Sequence, residues 1–213
     1  MSTHYAGIAF TDQVQEVQGR YGSQTFYGAK AASALADLSG PDALGPHERA
    51  YLAERDTFFL ASVGSTGWPY VQHRGGPPGF LRVLDDHTIG WADFKGNLQY
   101  VSVGNLAHDD RVSLIVLDPA SQQRLKIFGR ARVVDAEEDP ELVERLTPPD
   151  ADAVVERGIV VAVEAFDWNC RQHITPRYSA AELELVHASM RERLAAAEAE
   201  IATLRRELAA RTA

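Results

Sequence analysis

The sequence predicts a mainly β protein of the α+β type, an antiparallel barrel with flanking helices and one long C-terminal helix. Residues 57–168 contain short β-rich runs that are separated by turn-forming residues. Residues 180–211 repeat apolar side chains at heptad spacing. The strands follow one another too closely for the crossover connections of a doubly wound parallel sheet.

The first 56 residues are predicted to be helical and polar. Thr11, in the run Phe10-Thr11-Asp12, is a suitable N-cap residue. Pro46 stands where the first residue of a helix is expected, so His47 to Arg55 is predicted as a short helix before the first strand.

Seven β-rich runs are predicted as strands in the second part of the chain. They are residues 57–63, 69–74, 80–84, 87–92, 111–117, 124–134 and 158–166. Two helices are expected between them, at residues 97–106 and 139–146. In the first of these, Leu98, Val101 and Leu106 would share one face.

The C-terminal segment is predicted to pair with a second copy of itself as a parallel coiled coil. Two heptad positions are mostly apolar, and they hold Leu183, Met190, Ala197 and Leu204, and His187, Leu194, Ile201 and Leu208. The g-to-e pairs Arg193–Glu198 and Glu200–Arg205 are opposite in charge. A solvated single helix is the alternative. The predicted organisation is therefore a helical segment at 1–56, a barrel at 57–178 and a coiled-coil helix at 179–213.

Composition argues against several classes of function. The net charge of −9 argues against nucleic acid as a partner. No run approaches the roughly 20 apolar residues of a membrane span. Cys170 is the sole cysteine, which excludes an internal disulfide. With no secretory signal in Met1 to Phe10, a cytoplasmic location is expected.

The charge is distributed unevenly along the chain. Residues 68–132 contain eight basic and six acidic side chains, a local charge of +2, so the rest of the chain carries −11. A locally positive region in an acidic protein suits a small anionic ligand. Ordinary solvated strand residues are the alternative.

The first candidate site is centred on Arg74. Arg74 ends a predicted strand and precedes Gly75 and Gly76. A guanidinium group binds phosphate in a bidentate manner, and glycine allows a ligand to approach the backbone. Lys95 and Asn97 stand at the start of the helix predicted at 97–106, where backbone N–H groups favour an anion. Turn chemistry with solvated charges is the alternative.

The second candidate site follows the last strand. Trp168, Asn169, Gln172 and His173 place one indole, two amides and an imidazole within six residues. Such side chains can stack on, and donate hydrogen bonds to, a flat polar heterocycle. A structured loop is the alternative. Cys170 and His173 could form half of a metal site, but no second ligand pair has matching spacing, so no metal is expected.

These motifs resemble those of a known family. The runs 58–134 and 168–176 resemble the pyridoxamine 5′-phosphate oxidase-like split-barrel flavoproteins, especially a bacterial branch with Gln72-His73-Arg74-Gly75-Gly76, Gly96-Asn97 and Trp168-Asn169-Cys170. The resemblance implies a six-stranded barrel that forms a homodimer and holds two FMN molecules at the subunit interface. It assigns cofactor contacts to His73, Arg74, Gly75, Lys95, Asn97, Arg124, Lys126, Trp168, Asn169, Gln172 and His173.

The resemblance also implies roles for individual residues. Arg74 would bind the FMN phosphate with Lys95 and Asn97, while Trp168, Gln172 and His173 would close over the ring. Hydride transfer at flavin N5 is the expected chemistry, with Arg124 or Lys126 stabilising the reduced flavin and His173 as catalytic proton donor. The chain has Ile174-Thr175-Pro176-Arg177 where true oxidases have a substrate-binding tail, so vitamin B6 oxidation is not expected.

Two other functions are compatible with the same motifs. The protein could be a flavin carrier or sensor without turnover, with the coiled coil as its output element. The barrel could also hold a deazaflavin or haem. In each reading a small-molecule ligand is expected, and neither nucleic acid nor a membrane is.

Overall fold

The N-terminal part of the chain is helical, as the sequence predicts. The structure, a computed structural model, describes residues 3–36, 40–149, 151, 153–169 and 171–212. Its first helices are α1 Thr3–Ala9, α2 Asp12–Arg20, α3 Gln24–Ala36 and α4 Pro46–Ala53. The Thr11 hydroxyl accepts a hydrogen bond from the N–H of Val14 (3.5 Å), and Pro46 lies in the first turn of α4. Both predicted helix starts are confirmed.

The β part of the chain forms one antiparallel sheet. Its strands are β1 Thr57–Val63, β2 Pro69–Gly75, β3 Arg82–Asp85, β4 Thr88–Phe94, β5 Arg111–Asp118, β6 Gln123–Asp135 and β7 Val155–Trp168. In the part of the chain that the structure describes, seven strands are ordered β2-β1-β5-β6-β7-β4-β3. All seven predicted runs overlap with these strands. The count exceeds the six expected from the resemblance because the short β3 pairs with β4 as an extra edge hairpin.

Side chains close the curled sheet where hydrogen bonds between strands do not. The Arg74 guanidinium on β2 forms an ion pair with the Asp93 carboxylate on β4, although these strands are not neighbours in the sheet. Nearby, the rings of Phe58 on β1 and Trp91 on β4 meet edge to face at 4.9 Å. The result is a split barrel whose interior holds these rings.

The barrel core is formed by every second residue of the long strands. In β1 the side chains of Phe58, Leu60 and Ser62 are buried, while their neighbours face outward. Helix α4 packs at one end, where the Tyr51 hydroxyl donates to the carbonyl oxygens of Val116 (3.0 Å) and Gln123 (3.3 Å). Burial raises the pKa of Tyr51 to about 12.

Two further helices lie between the strands, α5 Val101–His108 and α6 Pro140–Leu146. Helix α6 agrees with the predicted 139–146, and Asp139 caps it by accepting from the N–H of Leu142 (3.0 Å). The predicted start of α5 at residue 97 is wrong. Leu98 and Tyr100 have positive φ angles of 62° and 50°, which no helix contains, and the helix begins only at Val101.

The loop between β2 and β3 depends on glycine. Gly79 has a φ of +79°, and a Cβ atom there would lie 2.9 Å from the Ala53 carbonyl oxygen. Its N–H donates to the carbonyl of Arg55 (3.0 Å), which ties the loop to the end of α4. A side chain at Gly76 would collide with the Phe80 ring.

A second compact unit follows, formed by Pro119–Ser121 and His173–Ala213. Its main feature is α7, Ala180–Thr212, a helix of 33 residues. At about 1.5 Å per residue it is about 50 Å long. Apolar side chains along α7 are exposed, namely Leu183, Val186, Met190, Leu194, Ile201, Leu204 and Leu208. No helix among the described residues is long and apolar enough to cross a membrane.

Candidate functional site

A cavity of about 250 Å³ opens between β2 and the start of α5. We name it the β2–α5 cavity. Three inward residues of β2, Tyr70, Gln72 and Arg74, line one wall, because alternate residues of a strand share a face. The opposite wall is formed by residues 96–103, which include the first turn of α5. The strand arginine and a helix start are thus brought together.

Arg74 lies in this cavity with part of its guanidinium group unused. Its side chain is 14% exposed and is held by the ion pair with Asp93. The Nε atom of Arg74 is buried and has no hydrogen-bond partner. Arg157 on β7 approaches Asp93 from the other side, with Nε 3.9 Å from Oδ2. Asp93 therefore fixes Arg74 in place and leaves a donor for a ligand.

The start of α5 offers further donors. The first hydrogen bond of the helix runs from the N–H of Gly104 to the carbonyl of Tyr100 (2.9 Å), and no side chain caps the preceding N–H groups. The Ser102 hydroxyl donates to Oε1 of Gln72 (2.7 Å), which joins the helix to β2. Uncapped N–H groups and the helix dipole favour an anion.

Backbone strain marks the loop that leads into α5. Leu98 and Tyr100 both adopt the left-handed region, at a cost on the order of 1–3 kcal/mol each. The loop is held by Asn97, whose Oδ1 accepts from the N–H of Gln99 (3.2 Å). Tyr100 is held by Glu156, to which its hydroxyl donates (3.1 Å), and by the Arg157 guanidinium, 4.9 Å from the ring centre.

The structure brings some of the predicted phosphate-site residues to this cavity and leaves others outside. Asn97 lines it, but precedes the helix by four residues. Lys95 is exposed and does not line the cavity, and its backbone N–H donates to Val154. His73 and Gly75 lie on the other face of β2 from Arg74. The His73 Nε2 atom is 2.6 Å from the Thr57 hydroxyl.

The other predicted contacts lie near the far end of β7. A second cavity, of about 420 Å³, is lined there by Lys126, Trp168 and Asn169 together with residues of the N-terminal helices. We name it the α3–β7 cavity. The Lys126 ammonium lies 3.4 Å from Oδ2 of Asp167. The Trp168 indole donates to Glu48 (2.8 Å) and packs against the rings of His47 and Tyr51.

Arg124, Gln172 and His173 are placed separately. Arg124 opens the ladder with β5, its Nε is buried without a partner, and its carbonyl accepts from the N–H of Asn169 (3.2 Å). Gln172 is exposed at the end of the first unit. His173 opens the second segment of the other unit, with a φ of 66°. Cys170 lies outside the described residues.

The two cavities stand at opposite ends of β7. Arg157 pairs with Asp135 at one end of the β6–β7 ladder, and Trp168 pairs with Leu125 at the other. Eleven residues separate them, about 36 Å at about 3.3 Å per residue. A single mononucleotide does not span this distance within one chain.

Sequence reasoning missed the residues that orient Arg74. Asp93 stands in the run Trp91-Ala92-Asp93-Phe94 and is 5% exposed. One acidic residue in a predicted buried strand was the available signal, because buried carboxylates need a partner. The role of Arg157 had no local signal, since its contact with Asp93 depends on the pairing of β4 with β7.

Comparison with known proteins now gives the family. The family model described as pyridoxamine 5′-phosphate oxidase matches residues 44–161, more than half of the chain. The chain belongs to this family. The match includes β1 to β6, the β2–α5 cavity and Arg157. A search of curated proteins found no match.

Solved structures with a similar chain course include other members of this fold. HupZ of Group A Streptococcus is 14% identical, with a TM-score of 0.48, and the match covers 63% of this chain and 99% of HupZ. A putative pyridoxamine 5′-phosphate oxidase of Lactobacillus delbrueckii is 17% identical, with a TM-score of 0.45 and coverage of 59% and 93%. An FMN-binding protein of Syntrophomonas wolfei is 15% identical, with a TM-score of 0.45 and coverage of 57% and 83%.

Proposed function

We propose that the protein binds FMN, with the phosphate in the β2–α5 cavity, and uses it to oxidise or reduce a small molecule. The observation that carries the proposal is the juxtaposition of a buried, unpartnered Nε of Arg74 with the uncapped start of α5. A guanidinium and free backbone N–H groups are the donors that phosphate accepts best. The residues therefore fit this end of the cofactor.

The phosphate end is the part of the site with the most complete support. Arg74 would donate to the phosphate oxygens, and Asp93 keeps the guanidinium from turning away. The N–H groups of Val101, Ser102 and Val103 would add hydrogen bonds from the helix start. Asn97 lies on the same wall. FMN itself would supply the hydride chemistry.

The proposal uses a homodimer. Because the two cavities lie at opposite ends of β7, one protomer would hold the phosphate while Lys126 and Trp168 of the partner subunit face the ring. The outer faces of β1 and β2 carry exposed apolar side chains at Phe59, Val63 and Val71, which suit a buried contact between copies. The exposed apolar positions of α7 would add a parallel coiled coil.

The ring-side residues have roles that follow from charge and hydrogen bonding. A cation beside the ring, Lys126 or Arg124, would stabilise the negative charge of the reduced flavin. The contact with Asp167 keeps the Lys126 ammonium group in position. His173 would donate the proton. The cytoplasm remains the proposed location, the compartment expected for a chain with a single cysteine.

The test is a titration of the purified full chain with FMN. We expect flavin absorption that co-purifies with the protein, or quenching of flavin fluorescence on addition of FMN. Arg74→Ala should weaken binding strongly, whereas Arg132→Ala, an exposed arginine on β6, should not. Wild-type protein that leaves flavin fluorescence unchanged would refute the proposal.

A flavin carrier or sensor is the second candidate, favoured by the length and exposure of α7. A helix about 50 Å long with exposed apolar side chains suits an output element that pairs with another helix. Adding reduced pyridine nucleotide to the FMN-loaded protein separates the two functions. Rapid bleaching of the flavin with reoxidation by oxygen indicates an enzyme, and stable flavin absorption indicates a carrier or sensor.

A further inference from the structure

The α3–β7 cavity has features that the binding of an FMN phosphate does not use. Helices α2 and α3 form one wall, and the end of β7 forms the other. The aromatic rings of this wall are arranged edge to face, with Phe10 5.4 Å from Tyr27 and Phe26 4.8 Å from Tyr27 between ring centres. Phe26 is 63% exposed. An exposed ring beside a cavity suits a flat apolar ligand.

Two amide oxygens that line this cavity lack partners. Gln18 is 9% exposed, and its Oε1 is buried with no hydrogen bond. Asn169, on the opposite wall, has a buried Oδ1 in the same state. A buried acceptor without a donor destabilises the fold, so such groups call for a specific explanation. A ligand with N–H or O–H groups would supply both missing donors.

The cavity also holds a cation that no carboxylate neutralises. Lys30 lines it, with its ammonium 5.3 Å from the centre of the Phe26 ring. Among the described residues, no acidic side chain forms an ion pair with Lys30, whereas the neighbouring Lys126 is paired with Asp167. The unpaired ammonium is therefore available to an anionic group of a ligand.

We infer that the α3–β7 cavity binds a small aromatic carboxylate that carries ring hydroxyl or N–H groups. The ring would pack against Phe26, Tyr27 and Trp168, the carboxylate would pair with Lys30, and the ring donors would reach Gln18 and Asn169. This inference deepens the proposed function, because such an acid would be the substrate beside a flavin bound with Trp168. Its binding, however, requires only the residues of this cavity.

The experiment uses the full chain, with and without FMN, and isothermal titration calorimetry. The probe is protocatechuate, which has a carboxylate and two ring hydroxyls. Veratrate, in which both hydroxyls are methylated, and catechol, which lacks the carboxylate, are the comparison compounds. We expect protocatechuate to bind at least about ten-fold more tightly than either, since each loses a class of hydrogen bond or ion pair.

Two variants test the named contacts. Gln18→Leu should weaken protocatechuate binding about ten-fold and raise the melting temperature, because the unpartnered oxygen is removed. Gln13→Leu, an exposed position of the same helix, should change neither. Lys30→Met should weaken protocatechuate binding and leave catechol binding unchanged. Circular dichroism verifies that each variant is folded.

The outcomes separate this inference from the proposed function. If FMN binds but protocatechuate does not, or binds no better than veratrate and catechol, the inference is overturned and the FMN proposal stands. If protocatechuate binds to a chain that takes no FMN, the cavity is supported and the flavin proposal fails. Equal affinity in Gln18→Leu and wild type would also overturn the inference.

Discussion

Replacing Arg74 with alanine separates two effects of one side chain, on stability and on cofactor binding. The Arg74 and Asp93 side chains are 14% and 7% exposed, so the alanine variant leaves a buried carboxylate without its main partner. Such a loss costs about 3–5 kcal/mol. Arg157 Nε remains 3.9 Å from Asp93, so we expect a cost at the lower end, about 3 kcal/mol.

The same substitution removes the charge-assisted hydrogen bonds to phosphate. We expect a loss of about 2–4 kcal/mol in FMN binding free energy, which corresponds to a decrease in affinity of roughly 30- to 1,000-fold. The double variant Arg74→Ala/Asp93→Asn should recover part of the stability, because no charge is left unpaired. It should not recover FMN affinity.

Two assays measure these effects independently. Urea unfolding of the FMN-free protein, followed by circular dichroism, gives stability, and quenching of flavin fluorescence gives affinity. Arg132→Ala is the control and should stay within about 0.5 kcal/mol of wild type in stability. The reasoning is refuted if Arg74→Ala unfolds at the wild-type urea concentration, or if the double variant binds FMN as tightly as wild type.

Three other predictions concern pH, the β2–β3 loop and α7. Burial raises the pKa of Tyr51 to about 12, so its contribution of about 3 kcal/mol is complete below pH ~10 and lost as pH rises through ~12. Urea unfolding should show this decline in wild type, and a Tyr51→Phe variant that keeps it would contradict the assignment. Gly79→Ala should lower the melting temperature more than Gly67→Ala, because both have a φ of +79° but only Gly79 meets a backbone oxygen at 2.9 Å. Equal melting temperatures would count against the packing argument. Leu194→Lys with Ile201→Lys should weaken self-association in sedimentation experiments, whereas Ala196→Lys, outside the apolar seam, should not; unchanged association would argue against the coiled coil.

The strands were predictable because their signal is local. In β1 and β6, alternate apolar residues and flanking turns are written in consecutive residues, and each predicted run overlaps with a strand. The same applies to Thr11 and Pro46 at helix starts. The start of α5 was not predictable in this way, because apolar spacing does not reveal that Leu98 and Tyr100 adopt positive φ angles.

The candidate site was predictable only in part. Arg74 and Asn97 could be selected from residue type and motif, and the structure places both in one cavity. The contacts of Asp93 with Arg74 and Arg157 depend on how the sheet closes, which no local pattern encodes. The alternation of β2 also separates His73 from Arg74, although the two are adjacent in the chain.

The position of the phosphate in a crystal structure of the FMN-saturated protein tests the central claim most directly. The account predicts phosphate oxygens within hydrogen-bonding distance of the Arg74 guanidinium and of the N–H groups at Val101 and Ser102. It also predicts that Arg74 keeps its ion pair with Asp93. Density for the phosphate at another site, with the β2–α5 cavity filled only by water, would contradict it.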